Sequence, residues 1–190
     1  FPTRRSSDLG AINNGLELLD EGGADEDAMR LIRTSARNAS ARLQFARIAF
    51  GAAGSAGMMI DTGDAEAVAT AFLKNEKPEL VWSGGRALWP KNKVKLLLNL
   101  LLVALAAIPR GGKLVVTLAD VDTEPKFSIS SAGPMLRVPP KFLELHSGMK
   151  PEEPIDAHSV QPYYTLLLSR EAGMTISIRA TAEEIVLSAA

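Results

Sequence analysis

The chain has no cysteine, only two histidines and few aromatic residues, and the first two scarcities each exclude a class of site. Without cysteine there is no disulfide scaffold, no thiolate zinc site and no cysteine nucleophile. With His146 and His158 alone, a multi-histidine metal site is not expected, and we predict no metal. Lysine and arginine total 21 against 22 acidic residues. We therefore predict neither nucleic acid nor a membrane as partner, because no overall positive field would attract them.

Long hydrophobic runs are also lacking. The longest, residues 96–108, has 13 residues with Asn99 inside. As a helix it would span about 20 Å, short of the ~30 Å hydrocarbon core of a bilayer, so we expect a buried helix. What is present is an ordinary globular composition, with 46% hydrophobic and 23% charged residues. Together with the absence of cysteine, this predicts a cytoplasmic protein.

Two helices are predicted to form a hairpin at the start of the chain. The first spans residues 10–21, and the second opens with the acidic residues 25–27, which favour a helix N-terminus, and continues to residue 50. Along the second helix, apolar and small residues recur at steps of three and four, as in the seam of a helical bundle: Met29, Ile32, Ala36, Ala39, Leu43, Ala46 and Phe50. Cationic and polar residues form a separate stripe: Arg30, Arg33, Arg37, Gln44 and Arg47.

The length of this seam predicts a homodimer. The first helix is too short to cover it, so two hairpins packed about a twofold axis would bury both seams in a four-helix bundle. The alternative is that the second helix packs on the C-terminal domain of its own chain. The glycine- and alanine-rich residues 51–57 are typical of a linker. They divide the chain into a helical hairpin domain, 1–57, and a C-terminal domain, 58–190.

The C-terminal domain combines helices with antiparallel hairpins. This predicts an α+β fold class in which helices cover one face of a sheet, rather than a doubly wound parallel sheet. Helices are predicted at 64–75, 91–108, 140–145 and 159–172, and strands at 79–83, 113–119, 126–130, 174–179 and 183–188.

Residues 99–112 resemble the N box of sensor histidine kinases, which share this layout of hairpin and α/β sandwich. The resemblance implies an ATPase-like domain whose nucleotide contacts have degenerated. Val103 stands where the family has a second asparagine that helps hold the metal on ATP. The family's Asp-x-Gly motif falls on residues 131–133, where a serine cannot receive the adenine amino group as a carboxylate does. Residues 155–162 replace the glycine-rich lid and contain no glycine. The degenerate positions are Asn99, Val103, Ser131 and Gly133.

The ChpT-type histidine phosphotransferases keep this architecture without using ATP, and the chain closely resembles them. The resemblance is carried by the segment GAINNGLELL at residues 10–19 and, on the second helix, by residues 35–37 and 43–52. The resemblance implies a homodimer that needs no cofactor. It would relay a phosphoryl group from the receiver domain of a hybrid histidine kinase to the receiver domains of response regulators.

The phosphoacceptor of that family is missing from this chain. The family has a His-Asp pair on the first helix, but without gaps the histidine position falls on Thr3. If residues 7–9 are matched to His-Asp-Leu instead, Ser7 stands there and Asp8 is a remnant. A hydroxyl would form a stable ester, whereas the N–P bond of a phosphorylated imidazole stays labile. Residues 1–9 resemble a translated sequencing adapter and are interpreted as non-native, so we expect no catalytic residue in the chain as written.

Several exposed side chains are candidates for docking a receiver domain, whose acidic pocket would be attracted by a local cationic face. They are Asn14, Glu17, Arg30, Arg33 and Arg37. An ordinary solvated surface is the alternative for each of them. Three functions follow for the chain: a phosphotransferase relay, a non-catalytic dimeric module that docks receivers, and an active histidine kinase with an altered nucleotide pocket. The three alterations of the nucleotide contacts argue against the kinase.

Overall fold

The structure is a computed structural model that describes residues 2–20, 26–51, 58–120, 123–148 and 154–190. The predicted linker, apart from Gly51, lies outside these residues. The chain divides into two compact units, Phe1–Arg47 and Ile48–Ala190.

The first unit contains two helices, as the periodicity predicts. Helix α1 is Pro2–Asp20 and helix α2 is Glu26–Phe50, whose last turn belongs to the second unit. Helix α1 begins eight residues before the predicted start, because residues 3–9 contain no helix-breaking residue and Pro2 stands at the first helical position. Glu26 and Asp27 lie in the first turn of α2, where their negative charges interact favourably with the helix dipole.

Side chains of α2 divide into an inner and an outer set. Ala28, Ser35 and Phe45 are buried, whereas Met29 and Leu43 of the predicted seam are exposed. Gly15 of α1 is buried, and a Cβ atom there would lie 2.5 Å from Cγ1 of Ile32. Helices α1 and α2 are therefore in close contact at this glycine, and much of the predicted seam remains free.

The second unit is built on a five-stranded sheet with the order β2-β4-β5-β7-β6, beside a two-stranded sheet of β1 and β3. The β2–β4 pair is parallel, and the other pairs of the large sheet are antiparallel. The strands are Met59–Asp61 (β1), Glu79–Ser83 (β2), Leu88–Pro90 (β3), Lys113–Ala119 (β4), Lys126–Ala132 (β5), Ile176–Ala180 (β6) and Ile185–Ala189 (β7). The helices are Thr62–Leu73 (α3), Lys91–Ala106 (α4), Pro140–His146 (α5) and Val160–Ala172 (α6).

Helix α4 is the centre of this unit. Every residue from Val94 to Ala104 is buried, which confirms the prediction of a buried helix for the longest apolar run. The strands present alternate side chains to the core, as in β5, where Phe127, Ile129 and Ser131 are buried. None of the helices in the described ranges is long and apolar enough to cross a bilayer.

The small sheet was not predicted. Its strands have three residues each, too short for an alternating pattern to be read from sequence. They pair because the chain before α3 meets the chain before α4: Thr62 N–H donates to Ala87 O at 2.9 Å and Lys91 N–H to Met58 O at 3.0 Å. Asp61 then accepts a hydrogen bond from Gly63 N–H at 2.7 Å and caps α3.

Candidate functional site

Asn99 lies on α4 in the second unit, and its side chain is completely buried. Its Nδ2 donates to the backbone oxygen of Ala49 at 2.9 Å and to that of Lys95 at 2.9 Å. The first bond satisfies a carbonyl in the last turn of α2, which has no partner within its own helix. Both amide hydrogens of Asn99 are thus used inside the protein.

Helix α6 covers the same part of α4 through Gln161 and Tyr164. Gln161 Nε2 lies 3.1 Å from the backbone oxygen of Asn99, 3.4 Å from its Oδ1 and 3.0 Å from Thr165 Oγ1. The ring of Tyr164 lies 5.9 Å from the ring of Phe50 and 5.7 Å from Nζ of Lys95, a distance at which a cation is attracted to an aromatic face. Residues of α4 and α6 are therefore in direct contact around Asn99.

Val103 and Ser131 also lie in the core. Val103 lies one turn after Asn99 on α4 and is 2% exposed. Ser131 is fully buried on β5, and its Oγ donates to Ala104 O at 3.3 Å. A serine in this position serves as a hydrogen-bond donor to the helix, and it has no carboxylate with which to receive an amino group.

Gly133 packs against the turn that follows α4. A Cβ atom at Gly133 would overlap the backbone oxygen of Gly111, and one at Gly112 would overlap that of Ala132. Gly111 and Gly112 have φ angles of 92° and 139°, which favour glycine. The four positions predicted to be degenerate nucleotide contacts are therefore brought together around α4, where each contributes to packing or internal hydrogen bonding.

Residues 155–162, predicted to stand in place of a glycine-rich lid, include a hydrogen-bonded turn before α6. Asp156 Oδ1 accepts hydrogen bonds from Ser159 Oγ at 2.6 Å, from Ser159 N–H at 2.8 Å and from His158 N–H at 3.0 Å. The hydrogen bond from the Ser159 side chain is the main reason that the pKa of Asp156 is lowered. This turn satisfies its own polar groups.

The two positions predicted for the phosphoacceptor lie on α1 of the first unit. The side chains of Thr3 and Ser7 are outside the part of the chain that the structure describes. Asp8 forms an ion pair with Arg42 of α2, with 3.3 Å between Oδ2 and Nε, and both side chains are 17% exposed. The carboxylate proposed as a remnant of the His-Asp pair is therefore engaged with the neighbouring helix.

The receiver-docking candidates of both helices are exposed. Asn14 and Glu17 lie on α1, and Arg33 and Arg37 lie on α2 without a side-chain partner among the residues described. Arg30 binds Asp27 at 2.6 Å, an exposed pair of the kind that contributes little to stability. Within the described ranges, no group of three or more acidic or histidine side chains could hold a metal ion.

Sequence reasoning missed Gln161, Lys95 and Tyr164. Gln161 and Tyr164 lie at the start of α6, and no motif marks their contacts with a helix more than 60 residues earlier. Lys95 precedes Asn99 by four residues, so helical spacing alone places the two on one face. This spacing was the one feature of the sequence that could have indicated a role for Lys95 beside Asn99.

Three comparisons agree on the family. The family model of the histidine phosphotransferase C-terminal domain matches residues 62–184. The protein phosphotransferase ChpT of Brucella abortus (strain 2308) is 75% identical over 183 residues, which are 96% of this chain and 88% of that protein. A solved bacterial phosphotransferase is 72% identical, with a TM-score of 0.88 over 98% of this chain and 89% of its own.

A solved structure with much lower sequence identity supports the assignment of the fold alone. The histidine kinase domain of a blue-light activated kinase from Erythrobacter litoralis is 12% identical, with a TM-score of 0.55 over 98% of this chain and 94% of its own. This confirms the prediction of an α+β fold with a histidine-kinase-like sheet domain. With the family model and the two close relatives in agreement, the chain belongs to the ChpT-type histidine phosphotransferases.

Proposed function

We propose that the intact protein carries a phosphoryl group between receiver domains in a phosphorelay and does not bind ATP. This chain has the fold of that protein without its phosphoacceptor histidine. The observation that carries the proposal is Asn99, whose amide hydrogens are both donated to backbone carbonyls of the protein itself. The atom of Asn99 that would bind a metal on ATP is Oδ1. It belongs to a fully buried side chain and lies 3.4 Å from Gln161 Nε2, which supports the loss of this contact. Val103, one turn further on, offers no ligand atom.

The transfer would run from an aspartyl phosphate of one receiver to an imidazole nitrogen and then to an aspartate of a second receiver. In each step the O–P or N–P bond to the leaving group breaks as the new bond forms in line with it. Any Mg²⁺ belongs to the receiver, whose acidic pocket holds it. The neutral imidazole would be the nucleophile, so the family route requires a histidine on α1. The exchange would be reversible because phospho-imidazole and acyl phosphate are similar in energy.

Exposed apolar side chains of the first unit support a homodimer. Leu43 is 66% exposed, and Met29 is 37% exposed on the same helix. Leu16 of α1 is 48% exposed. Helical bundles bury apolar side chains such as these at their interfaces, and a second copy would complete a four-helix bundle. We place this dimer in the cytoplasm, with receiver domains as its partners.

The exposed cations of α2 support receiver docking next to the bundle. Arg33 and Arg37 are one turn apart and lie on the same face, where they could attract an acidic receiver. For the chain as written, the operative function is a dimeric module that docks receivers without transferring phosphate. Thr3 or Ser7 at the phosphoacceptor position favours this second function.

Restoring the nucleophile tests the relay. A purified receiver domain is charged with radiolabelled acetyl phosphate and mixed with the chain, with Thr3→His/Arg4→Asp, or with Ser7→His. We expect acid-labile label on one of the two histidine variants and none on the unaltered chain. Label on the unaltered chain would contradict the assignment of the phosphoacceptor position, and no label on either variant would contradict the relay.

Nucleotide binding is tested separately. Titration of the chain with a fluorescent ATP analogue and Mg²⁺ should show no saturation, while a histidine kinase domain measured in parallel should bind. A micromolar dissociation constant for the chain would contradict the proposal and favour the kinase alternative.

A further inference from the structure

Strand β6 is at the edge of the five-stranded sheet. Thr175 and Ala190 exchange two backbone hydrogen bonds, at 2.6 and 3.2 Å, and Thr181 N–H donates to Glu184 O at 2.9 Å at the other end of the hairpin. In an antiparallel pair such residues alternate with residues whose backbone groups point to the other side. Ile176, Ile178 and Ala180 therefore direct their N–H and C=O groups away from β7.

One of these outward groups is already satisfied. His146, the last residue of α5, donates its Nε2 proton to Ile176 O at 3.0 Å. Among the described residues, the backbone groups of Ile178 and Ala180 have no partner on this side. Natural proteins usually cover or interrupt such an edge, because it is a template for another strand.

An open groove of about 390 Å³ begins where this edge ends. Thr175 and Ile176 form one side of it. Leu145, Leu166 and Met174 contribute apolar surface, and the groove lies between the last turns of α5 and α6. A chain that runs along β6 would therefore pass directly into a partly apolar groove.

The charge of the groove indicates what would occupy it. Arg170 lies in its wall, is exposed and has no side-chain partner in the part of the chain described. His146 is the other ionisable side chain of the wall, and no carboxylate is present among its described residues. Arg179 of β6 is neutralised by Glu184 at 3.0 Å, so Arg170 is the cation available to an incoming segment.

We propose that the edge of β6 and the adjoining groove bind an extended acidic segment of a partner protein, which adds to the sheet as a sixth strand. Backbone hydrogen bonds to Ile178 and Ala180 provide the pairing. An apolar side chain of the segment enters the groove, and an acidic side chain approaches Arg170. This surface is in the second unit, whereas the receiver-docking candidates on α1 and α2 are in the first unit.

A synthetic hexapeptide that alternates aspartate with leucine, blocked at both ends, is the probe. Titrated into the nitrogen-15-labelled chain, it should shift the amide signals of Ile178, Ala180 and the groove residues. The same peptide with N-methyl groups on alternate amides should shift none of them, because it cannot donate to the strand. Shifts elsewhere only, or equal shifts with the methylated peptide, would overturn strand addition.

Arg170→Glu tests the charge, with Arg110→Glu as the matched control in the turn before β4. We expect Arg170→Glu to weaken peptide binding about two- to fivefold at low salt, as for one exposed ion pair, and Arg110→Glu to leave it unchanged. A peptide that alternates lysine with leucine should bind Arg170→Glu better than the unaltered chain. Equal effects of the two substitutions would overturn the role of Arg170.

Discussion

Gly15 lets the two helices of the first unit approach each other. It is buried on α1, where a Cβ atom would meet Cγ1 of Ile32 at 2.5 Å and the backbone oxygen of Ala28 at 3.3 Å. Ile32 is β-branched and stiff at χ1, so it cannot easily move aside. The sequence segment that carries the family resemblance, residues 10–19, thus contains a glycine that the packing of the two helices requires.

Alanine at the two glycines of this segment should have opposite effects. Gly15→Ala should destabilise the hairpin by about 1–3 kcal/mol through overpacking. Gly10→Ala should stabilise it by about 0.5–1 kcal/mol, because no atom lies within 4 Å of a Cβ there and alanine favours the helix. Thermal unfolding followed by circular dichroism measures both. Equal shifts in Tm would contradict the close contact at Gly15.

The contacts of Asn99 differ from those that its position in the sequence motif predicts. Its position in a motif predicted a degenerate nucleotide contact, and Val103 four residues later predicted the loss of a metal ligand. Neither observation indicates Ala49 or Gln161 as partners, since these lie 50 and 62 residues away in sequence. Only the packed structure assigns the amide to the last turn of α2.

Helix α6 begins with a turn whose hydrogen bonds depend on one ionised carboxylate. The side-chain hydrogen bond from Ser159 is the largest contribution to the lowered pKa of Asp156, followed by the Ser159 backbone. A carboxylate that accepts three hydrogen bonds is stabilised in its charged form. The turn lies in residues 155–162, the segment predicted to stand in place of a glycine-rich lid, and its polar groups are bonded to one another.

The lowered pKa gives this turn a defined pH dependence. Because the folded-state pKa of Asp156 lies below the ordinary value of 3.8, its contribution to stability is present above pH 3.8 and is lost as the pH falls through the folded-state pKa. A carbon-13 titration of the carboxyl group should show a midpoint below 3.8, and Ser159→Ala should raise that midpoint. Ser177→Ala, which removes a hydroxyl paired with Ser188 on β7, serves as control. A midpoint unchanged by Ser159→Ala would contradict the assigned cause.

At the scale of the whole molecule, the exposed part of the predicted seam is the surface through which we propose that two copies associate. Met29, Ala36 and Leu43 follow one another on α2 at seven-residue steps, and all three are exposed. Their face lies beside the one that packs on α1, so a second copy can bury it without displacing α1.

Leu43→Glu tests this dimer, and the chain offers a matched control. Leu43 and Leu88 are both 66% exposed, but Leu88 lies on β3 in the second unit. A buried leucine contributes about 1.5 kcal/mol and a twofold interface contains it twice, so Leu43→Glu should raise the dimer dissociation constant about 100-fold. Leu88→Glu should not change it. Sedimentation over a concentration series measures both, and a monomeric unaltered chain would contradict the dimer.

The longer elements could be predicted from sequence because their patterns are local. The three- and four-residue spacing of α2, the apolar run of α4 and the alternation of β4 each follow from which residues face a core. Strands β1 and β3 could not be predicted, since three residues contain too little pattern. The early start of α1 was missed because residues 2–9 lack the apolar spacing that marked the rest of the helix.

For this protein, the sequence by itself determined the α+β class and the family, because residue identity and spacing are enough for each. The absence of a phosphoacceptor histidine from α1 stays a prediction. The tertiary structure decided which side chains around Asn99 satisfy one another, which part of the seam stays exposed and which sheet edge is open. These depend on contacts between residues far apart in the chain, and no local pattern specifies them.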